Sequence, residues 1–496
     1  MQKRRSDYHG VPIAQGAGDG DHGVPIARRV GAGDHGRLIS RRGFLAGAAG
    51  AGAAAGLASL GLTGCAADRG PNSLTVAVNG TQAAAEAIKA AVGPPFLARH
   101  PKVQLNFMAV NGTDWADYFA KILTLIAGGL APDLTSVATE GLQLFASKGI
   151  AEPLDDYVKR DQADLAGYFS DVHPVLVESM MYQGHLYVLP TDFNCGNMFF
   201  DTVLLDKAGV GYPADGWTRD DFYDMAQKWA RVPDAVGWDW VVRLWGSWTS
   251  WMYANNANLV SEGRWPGGGW MWDTFYPDDP AARGRGGGWR WGEPTANDPK
   301  TVEALQYMID LKQAGISAAP DVGGGGTLQG LFASNHIAMT IGGGFWAGGL
   351  HAAGMKPGQF DVQYFPAWSA QKHLLGDAGY AMLKTSPVKE IAWEFMKSLT
   401  EPAALGALVA GNTSTPTRRS MMTASRYAPT GPAHWPVFYG TLDKFPDTTP
   451  IPAPPYYQQL ATAFAARTTQ AMAGGSAKPA LDGLQGDLEA IISSET

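Results

Sequence analysis

The amino-acid sequence predicts an α/β protein built from two lobes. Its 496 residues are more than one hydrophobic core usually serves, so two lobes are the natural expectation. Hydrophobic residues make up 45% of the chain and charged residues 17%, a balance typical of folded proteins. Strand-like and helix-like segments alternate from residue 73 onward, which predicts a parallel sheet with crossover helices.

The first elements after the linker carry this alternation. Apolar residues recur at every second position in 73–78 and again in 103–107, as in half-buried strands. Residues 83–92 between them predict a helix that the following Gly-Pro-Pro ends. A helix capped by Thr113 and a third strand over 134–137 complete a strand-helix-strand-helix-strand series.

Helix signals continue downstream around a segment of unusual composition. Thr218 with Asp221 three residues later predicts a capped helix start, and Ser386 followed by proline predicts another. A late helix is predicted over 460–472. Ten of the 17 tryptophans lie in residues 238–291, interrupted by glycine runs. This segment is interpreted as the rim or wall of a cleft, with filling of one lobe's core as the alternative.

The N-terminal 64 residues are interpreted as a targeting segment rather than as part of the folded protein. Residues 1–39 repeat short motifs without apolar periodicity, which predicts a disordered low-complexity leader. Arg41 and Arg42 precede an uncharged run rich in Ala, Gly and Leu, so residues 40–64 are predicted to be a twin-arginine export signal. An uncleaved anchor helix is the alternative.

The end of that signal resembles a lipobox. Leu-Thr-Gly precedes Cys65, and in a lipobox the chain is cut before the cysteine, whose thiol receives a diacylglyceryl group. Residues 65–72 would then be a lipidated linker. The protein is therefore expected to be exported and anchored by lipid to the outer face of the cytoplasmic membrane.

Charge and cysteine content exclude several classes of function. The first 64 residues carry eight Lys/Arg and four Asp/Glu (+4), so the remainder of a chain with net charge -8 carries -12, which argues against a nucleic-acid partner. Two cysteines cannot build a four-thiolate zinc site. The glycine run 323–326 lacks the Lys-Ser/Thr of a P-loop. No cofactor, no metal and no enzymatic activity are expected, and a monomer is predicted.

Five segments in a fixed order carry a family resemblance. They are Ala127–Leu134 continuing to Phe145–Asp156, Leu186–Asn194 continuing to Asn197–Asp201 and Leu205–Gly209, Phe332–Trp346, Gly376–Met382 continuing to Lys389–Met396, and Thr415–Arg418. Together they resemble the extracellular solute-binding proteins of ABC sugar importers, the maltose-binding-like family. Cys195 and Gly196 depart from the family pattern, and the segment 238–291 is not part of it.

The resemblance implies a two-lobed periplasmic-binding-protein-like fold of type II, with lobes joined by crossing hinge segments. The crossings are expected near 192–197, 376–378 and 412–415. The first lobe would then comprise residues 73–191 plus 378–412, and the second lobe residues 192–377 plus 413–496. The implied mechanism is hinge closure around a sugar, followed by docking on the membrane subunits of an ABC transporter.

The implied ligand is a mono- or oligosaccharide, whose C–H faces suit aromatic rings and whose hydroxyls suit carboxylates and amides. Asp192, Asn194 and Asp377 at the crossings are the polar candidates, with turn or cap roles as the alternative for both aspartates. Phe345 and Trp346 follow the glycines 342–344, which would allow close ligand approach. Further candidates follow predicted strands or supply rings: Asn79, Thr81, Glu140, Trp217, Trp248 and Tyr456. Glu140 could instead only begin a helix.

Two other functions stay open at this point. A glycoside hydrolase or lyase would also use paired carboxylates, for which Asp192 and Asp377 are available. A non-sugar solute such as a peptide, polyamine or osmolyte is the other, because the tryptophan surplus could supply an aromatic cage.

Overall fold

The computed structural model describes residues 70–230, 232–321 and 325–495. The predicted leader, the export signal with Arg41 and Arg42, and Cys65 lie outside the described residues. Among the helices of the described residues, none combines the length and apolar character that crossing a membrane requires.

Strands and helices alternate through most of the described chain. The strands are β1 (Ser73–Asn79), β2 (Gln104–Val110), β3 (Leu134–Ala138), β4 (Met181–Tyr182), β5 (His185–Leu186), β6 (Val188–Cys195), β7 (Asn197–Asp201), β8 (Val236–Asp239), β9 (Val260–Arg264), β10 (Trp289–Pro294), β11 (Ile337–Gly342), β12 (Phe360–Gln363), β13 (Leu374–Met382), β14 (Thr415–Pro416) and β15 (Thr449–Pro450). The helices are α1 (Gln82–Arg99), α2 (Trp115–Ala127), α3 (Thr139–Ser147), α4 (Asp155–Arg160), α5 (Gln162–Phe169), α6 (Pro174–Ser179), α7 (Thr202–Ala208), α8 (Arg219–Ala226), α9 (Thr249–Ala254), α10 (Gly269–Phe275), α11 (Pro299–Gln313), α12 (Gly326–Ala333), α13 (Phe345–Ala352), α14 (Lys389–Leu399), α15 (Pro402–Leu408), α16 (Ala424–Tyr427), α17 (Pro436–Lys444), α18 (Tyr457–Gly474) and α19 (Ala477–Glu495).

The first lobe is built on a seven-stranded sheet. Its order is β14-β6-β13-β3-β1-β2, with β15 paired to β13. β1 runs parallel to β2 and β3, as the sequence predicts, whereas β13 is antiparallel to β3 and β6. The sheet is therefore mixed, and β13 enters it only after the chain has built the second sheet.

The second lobe is built on a four-stranded sheet of order β12-β7-β11-β8. β11 runs parallel to β8 and antiparallel to β7. A large hydrophobic core in this lobe includes residues of α9, α11, α18 and α19. A smaller core contains Phe199, Trp346 and Phe438. The prediction of an α/β chain with two lobes is confirmed by these two separate sheets.

The two sheets are joined where three chain segments meet. β6 leads through Gly196 into β7 of the second sheet. β13 returns beside β6, pairing Ala378 with Asp192. β14 pairs with β6 from the other side, at Phe193 and Asp192. These three segments therefore meet at the end of β6.

Three helix boundaries differ from the prediction. α1 does not end at Gly93 but continues through Pro94 and Pro95, because Phe96 is fully buried and packs edge-on against Phe395 (5.0 Å between ring centroids). Asp114, not Thr113, caps α2 by accepting from the Asp117 N–H. α14 begins three residues after Ser386. The capping pair predicted at α8 is confirmed, with Thr218 and Asp221 bonding each other's backbone.

The tryptophan-rich segment splits into two parts. Trp238, Trp240, Trp248 and Trp251 are fully buried in the core of the second lobe. For these four residues the core alternative is confirmed, and they form no cleft wall. The later part, residues 260–294, forms the β9–β10 hairpin with α10 inserted between its strands.

Candidate functional site

A cavity of about 580 Å³ lies where the two sheets meet, a volume within the range of about 300–1,000 Å³ typical of small-molecule sites. Most of its polar and aromatic lining falls into three groups. The first lobe contributes Asn79, Asp114, Trp115 and Glu140, the crossing strands contribute Asp192, Asn194 and Asp377, and the second lobe contributes Arg243, Trp245, Phe345 and Tyr457. Asn79 is the last residue of β1, and Trp115 and Glu140 follow β2 and β3, so all three lie at the carboxyl ends of strands, where open α/β sheets bind ligands.

Asp192 and Asn194 are held in one hydrogen-bond network. Ser414, which precedes β14, donates from Oγ to Asp192 Oδ2 (2.6 Å) and accepts from Asn194 Nδ2 (3.0 Å). Asn194 Oδ1 also accepts from the backbone N–H of Phe345 (3.3 Å) at the start of α13. Ser414 thereby joins two crossing segments, and Asn194 joins them to the second lobe. Burial raises the pKa of Asp192 above its ordinary value.

The Asp377 carboxyl group lines the cavity but makes its hydrogen bonds to protein groups. It is 2% exposed, and its Oδ2 accepts from Ser179 Oγ (2.8 Å) on α6. Burial, with the nearby charge of Asp192, raises the pKa of Asp377. A carboxyl group at this position fixes α6 to the crossing strand, which is close to the structural role that the sequence left open.

Glu140 is a buried carboxyl group at the cavity wall. It lies in the first turn of α3 and is 5% exposed, and Thr139 Oγ1 donates to its Oε2 (3.0 Å). Burial raises the pKa of Glu140 to about 7, against an opposing contribution from the charge of Arg243. Near neutral pH this group can therefore either accept or donate a hydrogen bond to a ligand hydroxyl.

Aromatic rings form the apolar part of the wall. Trp245 and Phe345 pack at a tilt with ring centroids 5.5 Å apart. Gly376 of β13 allows the indole to approach, because a Cβ there would lie 2.6 Å from Trp245 Nε1. On the opposite lobe, Trp115 stacks on Phe119 (5.6 Å) and leaves its indole partly exposed to the cavity.

Arg243 is the cationic side chain among the described lining residues. Its Nε donates to the backbone carbonyl of Trp245 (2.8 Å), and its guanidinium lies 5.8 Å from the centre of the Trp245 ring. Burial lowers the pKa of Arg243, which remains charged at neutral pH. The arginine thus supports the loop that carries Trp245 and partly balances the carboxylates of the lining.

The cavity brings together six of the residues singled out in the sequence, namely Asn79, Glu140, Asp192, Asn194, Phe345 and Asp377. The expectation that the other five face the ligand is corrected by their placement, as none of them lines it. Thr81 caps α1 through the Ala84 N–H, and Tyr456 lies in the core of the second lobe, 8% exposed.

The three tryptophans among those five fill the interior. Trp217 donates from Nε1 to the Tyr364 carbonyl (2.8 Å). Trp248 donates to Thr468 Oγ1 (3.0 Å) and stacks on Phe464. Trp346 is 2% exposed and packs against Phe199. All three indole rings are buried, so a ligand cannot lie against them.

The glycines 342–344 serve packing of the protein's own side chains. A Cβ on Gly343 would lie 2.6 Å from Asn194 Cβ, and one on Gly344 would lie 2.0 Å from Thr415 Oγ1. A Cβ on Gly342 would meet the Trp346 ring at 2.8 Å. The run therefore lets α13 approach the crossing strands, which differs from the predicted role in ligand approach.

Five of the lining residues named above were missed from the sequence, namely Asp114, Trp115, Arg243, Trp245 and Tyr457. Trp245 is one of ten tryptophans in a segment without regular periodicity, so no signal separated it from its buried neighbours. Trp115 follows the helix cap Asp114 at the carboxyl side of β2, a position that the rule for open sheets could have indicated.

The match to a protein-family model identifies the family of this chain. Residues 78–405, which are 328 of its 496 residues, match the family model of bacterial extracellular solute-binding proteins. The chain belongs to this family. Its members are binding proteins, which confirms the prediction that the chain is not an enzyme and removes the hydrolase and lyase alternative.

Individual relatives agree with this family. A binding protein of Brucella abortus (strain 2308) is 32% identical over 169 residues, 34% of this chain and 38% of the relative. The chain thus matches 38% of the length of that curated relative. An ABC substrate-binding protein from Listeria monocytogenes in complex with cycloalternan has 20% identity and a TM-score of 0.68, covering 85% of this chain and 99% of that chain.

A third relative has the same fold. A solute-binding protein of an ABC transporter from Thermotoga lettingae, bound with alpha-D-tagatose, has 20% identity and a TM-score of 0.67, again covering 85% and 99% of the two chains. The predicted two-lobed periplasmic-binding-protein-like fold of type II is confirmed by these likenesses.

Proposed function

We propose that this member of the family captures a sugar-type solute, mono- or oligosaccharide, in the cavity between its lobes and closes around it. The observation that carries the proposal is the composition of the lining. Carboxyl and amide groups of Glu140, Asp192 and Asn194 lie in the same cavity as the rings of Trp115 and Trp245.

This combination suits a hydroxylated ring chemically. Sugar hydroxyls donate to carboxylates in charge-assisted hydrogen bonds, and an amide both donates and accepts. The C–H faces of the sugar lose water against indole rings. Trp115 belongs to the first lobe and Trp245 to the second, so a guest in contact with both rings would favour the closed form. The solved relatives bound with cycloalternan and tagatose support a guest of this class.

The proposal includes the route of the protein and of its ligand. The twin arginines and Cys65 support export and a lipid anchor on the outer face of the cytoplasmic membrane. The closed protein would deliver its sugar to the membrane subunits of an ABC import transporter, as a monomer. The lobe boundaries at residues 192, 378 and 413 are part of the same proposal.

The binding part is tested by intrinsic tryptophan fluorescence. Titration with neutral mono- and oligosaccharides should change the emission, since Trp115 and Trp245 are partly exposed in the cavity. Peptides, polyamines and betaine-like osmolytes serve as the comparison panel. A saturable response to one of these, with none to any sugar, would contradict the proposed ligand class.

The anchor is tested separately. The wild-type chain expressed in a bacterium should partition into the detergent phase after Triton X-114 extraction, and Cys65→Ser should move it to the aqueous phase. Partition that is unchanged by Cys65→Ser would contradict lipid attachment at this cysteine.

A further inference from the structure

The tryptophan-rich hairpin makes a connection between the lobes that the crossing strands do not provide. Residues 260–294, here called the strap, leave the second lobe as β9, form α10, and return as β10. They fall within the range predicted for the second lobe, yet their tip packs on the first lobe. The strap residues are absent from the lining of the ligand cavity.

The base of the strap belongs to the second lobe. Leu259, Val260 and Ala296 are buried in the core of that lobe. The backbone N–H of Thr295 donates to the Leu259 carbonyl (2.8 Å), which closes the base. Gln485 of α19 accepts from the Ala296 N–H (3.0 Å) and so ties this end to the C-terminal helices.

The tip of the strap is held by a buried carboxylate of the first lobe. Glu178 on α6 is 0% exposed. Its Oε1 accepts from Arg264 Nε (3.0 Å) and from the Gly286 N–H (2.9 Å), and its Oε2 accepts from Arg285 (2.7 Å). Arg264 also lies 3.8 Å above the Trp289 ring. A buried charge that two guanidinium groups neutralise resists separation, because either side would be left unpaired.

Close backbone contact adds to this ionic attachment. The Gly184 N–H in the first lobe donates to the Gly287 carbonyl (2.9 Å), and a Cβ on Gly287 would lie only 2.4 Å from Gly184 Cα. Phe275 packs on Phe169 with centroids 4.3 Å apart. The tip is therefore packed directly on the first lobe.

We propose that the strap is a further connection between the lobes and limits how far they open before ligand binds. It would keep the unliganded protein closer to its closed form and so reduce the rearrangement that binding requires. The inference rests on the hinge closure in the proposed function, but its test needs no ligand.

The test is a matched pair of glycine substitutions on the strap. Gly287→Ala puts a methyl group into the backbone of Gly184 and should lift the tip from the first lobe. Gly269→Ala, in α10 of the same strap, meets nothing within 4 Å and is the control. Small-angle scattering of the unliganded proteins should give a larger radius of gyration for Gly287→Ala than for wild type and Gly269→Ala, which should agree.

The proposal would be overturned if the tip were shown to be released in Gly287→Ala and all three folded proteins still had the same radius of gyration. Release is read by hydrogen exchange at the Gly184 amide, which should accelerate in Gly287→Ala alone. If Gly287→Ala does not fold, Arg264→Gln replaces it, because Arg264 is partly exposed and Glu178 keeps Arg285. In the wild-type protein, Gly184 and Gly286 amides that exchange as fast as exposed loops would also overturn the proposal.

Discussion

Replacement of Trp245 by alanine tests the aromatic wall of the cavity. Covering about 60 Å² of indole by a sugar contributes ~1.5 kcal/mol at about 25 cal/mol per Å² of apolar surface. A stacking contact adds ~0.5–1.5 kcal/mol beyond that area. The loss of ~2–3 kcal/mol corresponds to a rise of ~30- to 150-fold in the Kd of the sugar.

The fold should tolerate this change. The Trp245 side chain is partly exposed, and the bond from Arg243 goes to its backbone carbonyl, which alanine retains. Isothermal titration gives the Kd, and Trp368→Ala is the matched control, because Trp368 is also partly exposed and does not line the cavity. A Kd that changes less than threefold in Trp245→Ala, with unchanged melting temperature, would refute the stacking role.

Three further predictions concern the same cavity. Gly376→Ala should displace the Trp245 indole (Cβ to Nε1, 2.6 Å) and raise the Kd with little change in melting temperature; an unchanged Kd would contradict this. Ser414→Ala should lower the free energy of unfolding by ~1–3 kcal/mol in urea denaturation, since Asp192 and Asn194 lose their shared partner. Folding raises the pKa of Glu140 from 4.5 to about 7, so the stability that it contributes is present below pH 4.5 and lost as pH rises through 7. The stability of wild type relative to Glu140→Gln should therefore fall by on the order of 3 kcal/mol from pH 4 to pH 8, and a difference that is constant with pH would refute the buried-carboxyl account.

The fold was predictable to the extent that local signals agree with tertiary packing. Period-two alternation located β1 and β2, and the Thr218–Asp221 capping pair located α8. Local signals failed at α1, where Pro94 and Pro95 predict a helix end but the burial of Phe96 continues the helix. A single sequence window contains no information about the surface that Phe96 packs against.

The site was predictable where chain topology fixes it and not where packing does. Asp192, Asn194 and Asp377 follow from the crossing segments, and Asn79 and Glu140 from the ends of strands. The choice among tryptophans depends on which face of each indole the neighbouring elements cover. Trp248 is covered by Phe464 of a helix more than 200 residues away in sequence, whereas Trp245 is not.

The central claim is that the two lobes clamp a hydroxylated solute in the cavity between Trp115, Trp245 and the acidic and amide groups. A thermal-shift screen of the purified protein against sugars and polyols tests it most directly. At 100-fold excess over its Kd, a true ligand stabilises the native state by ~2.7 kcal/mol. We expect at least one sugar to raise the melting temperature of wild type and to raise that of Trp245→Ala much less. The account would be contradicted if no sugar raised the melting temperature of wild type, or if a sugar raised the melting temperatures of both proteins equally.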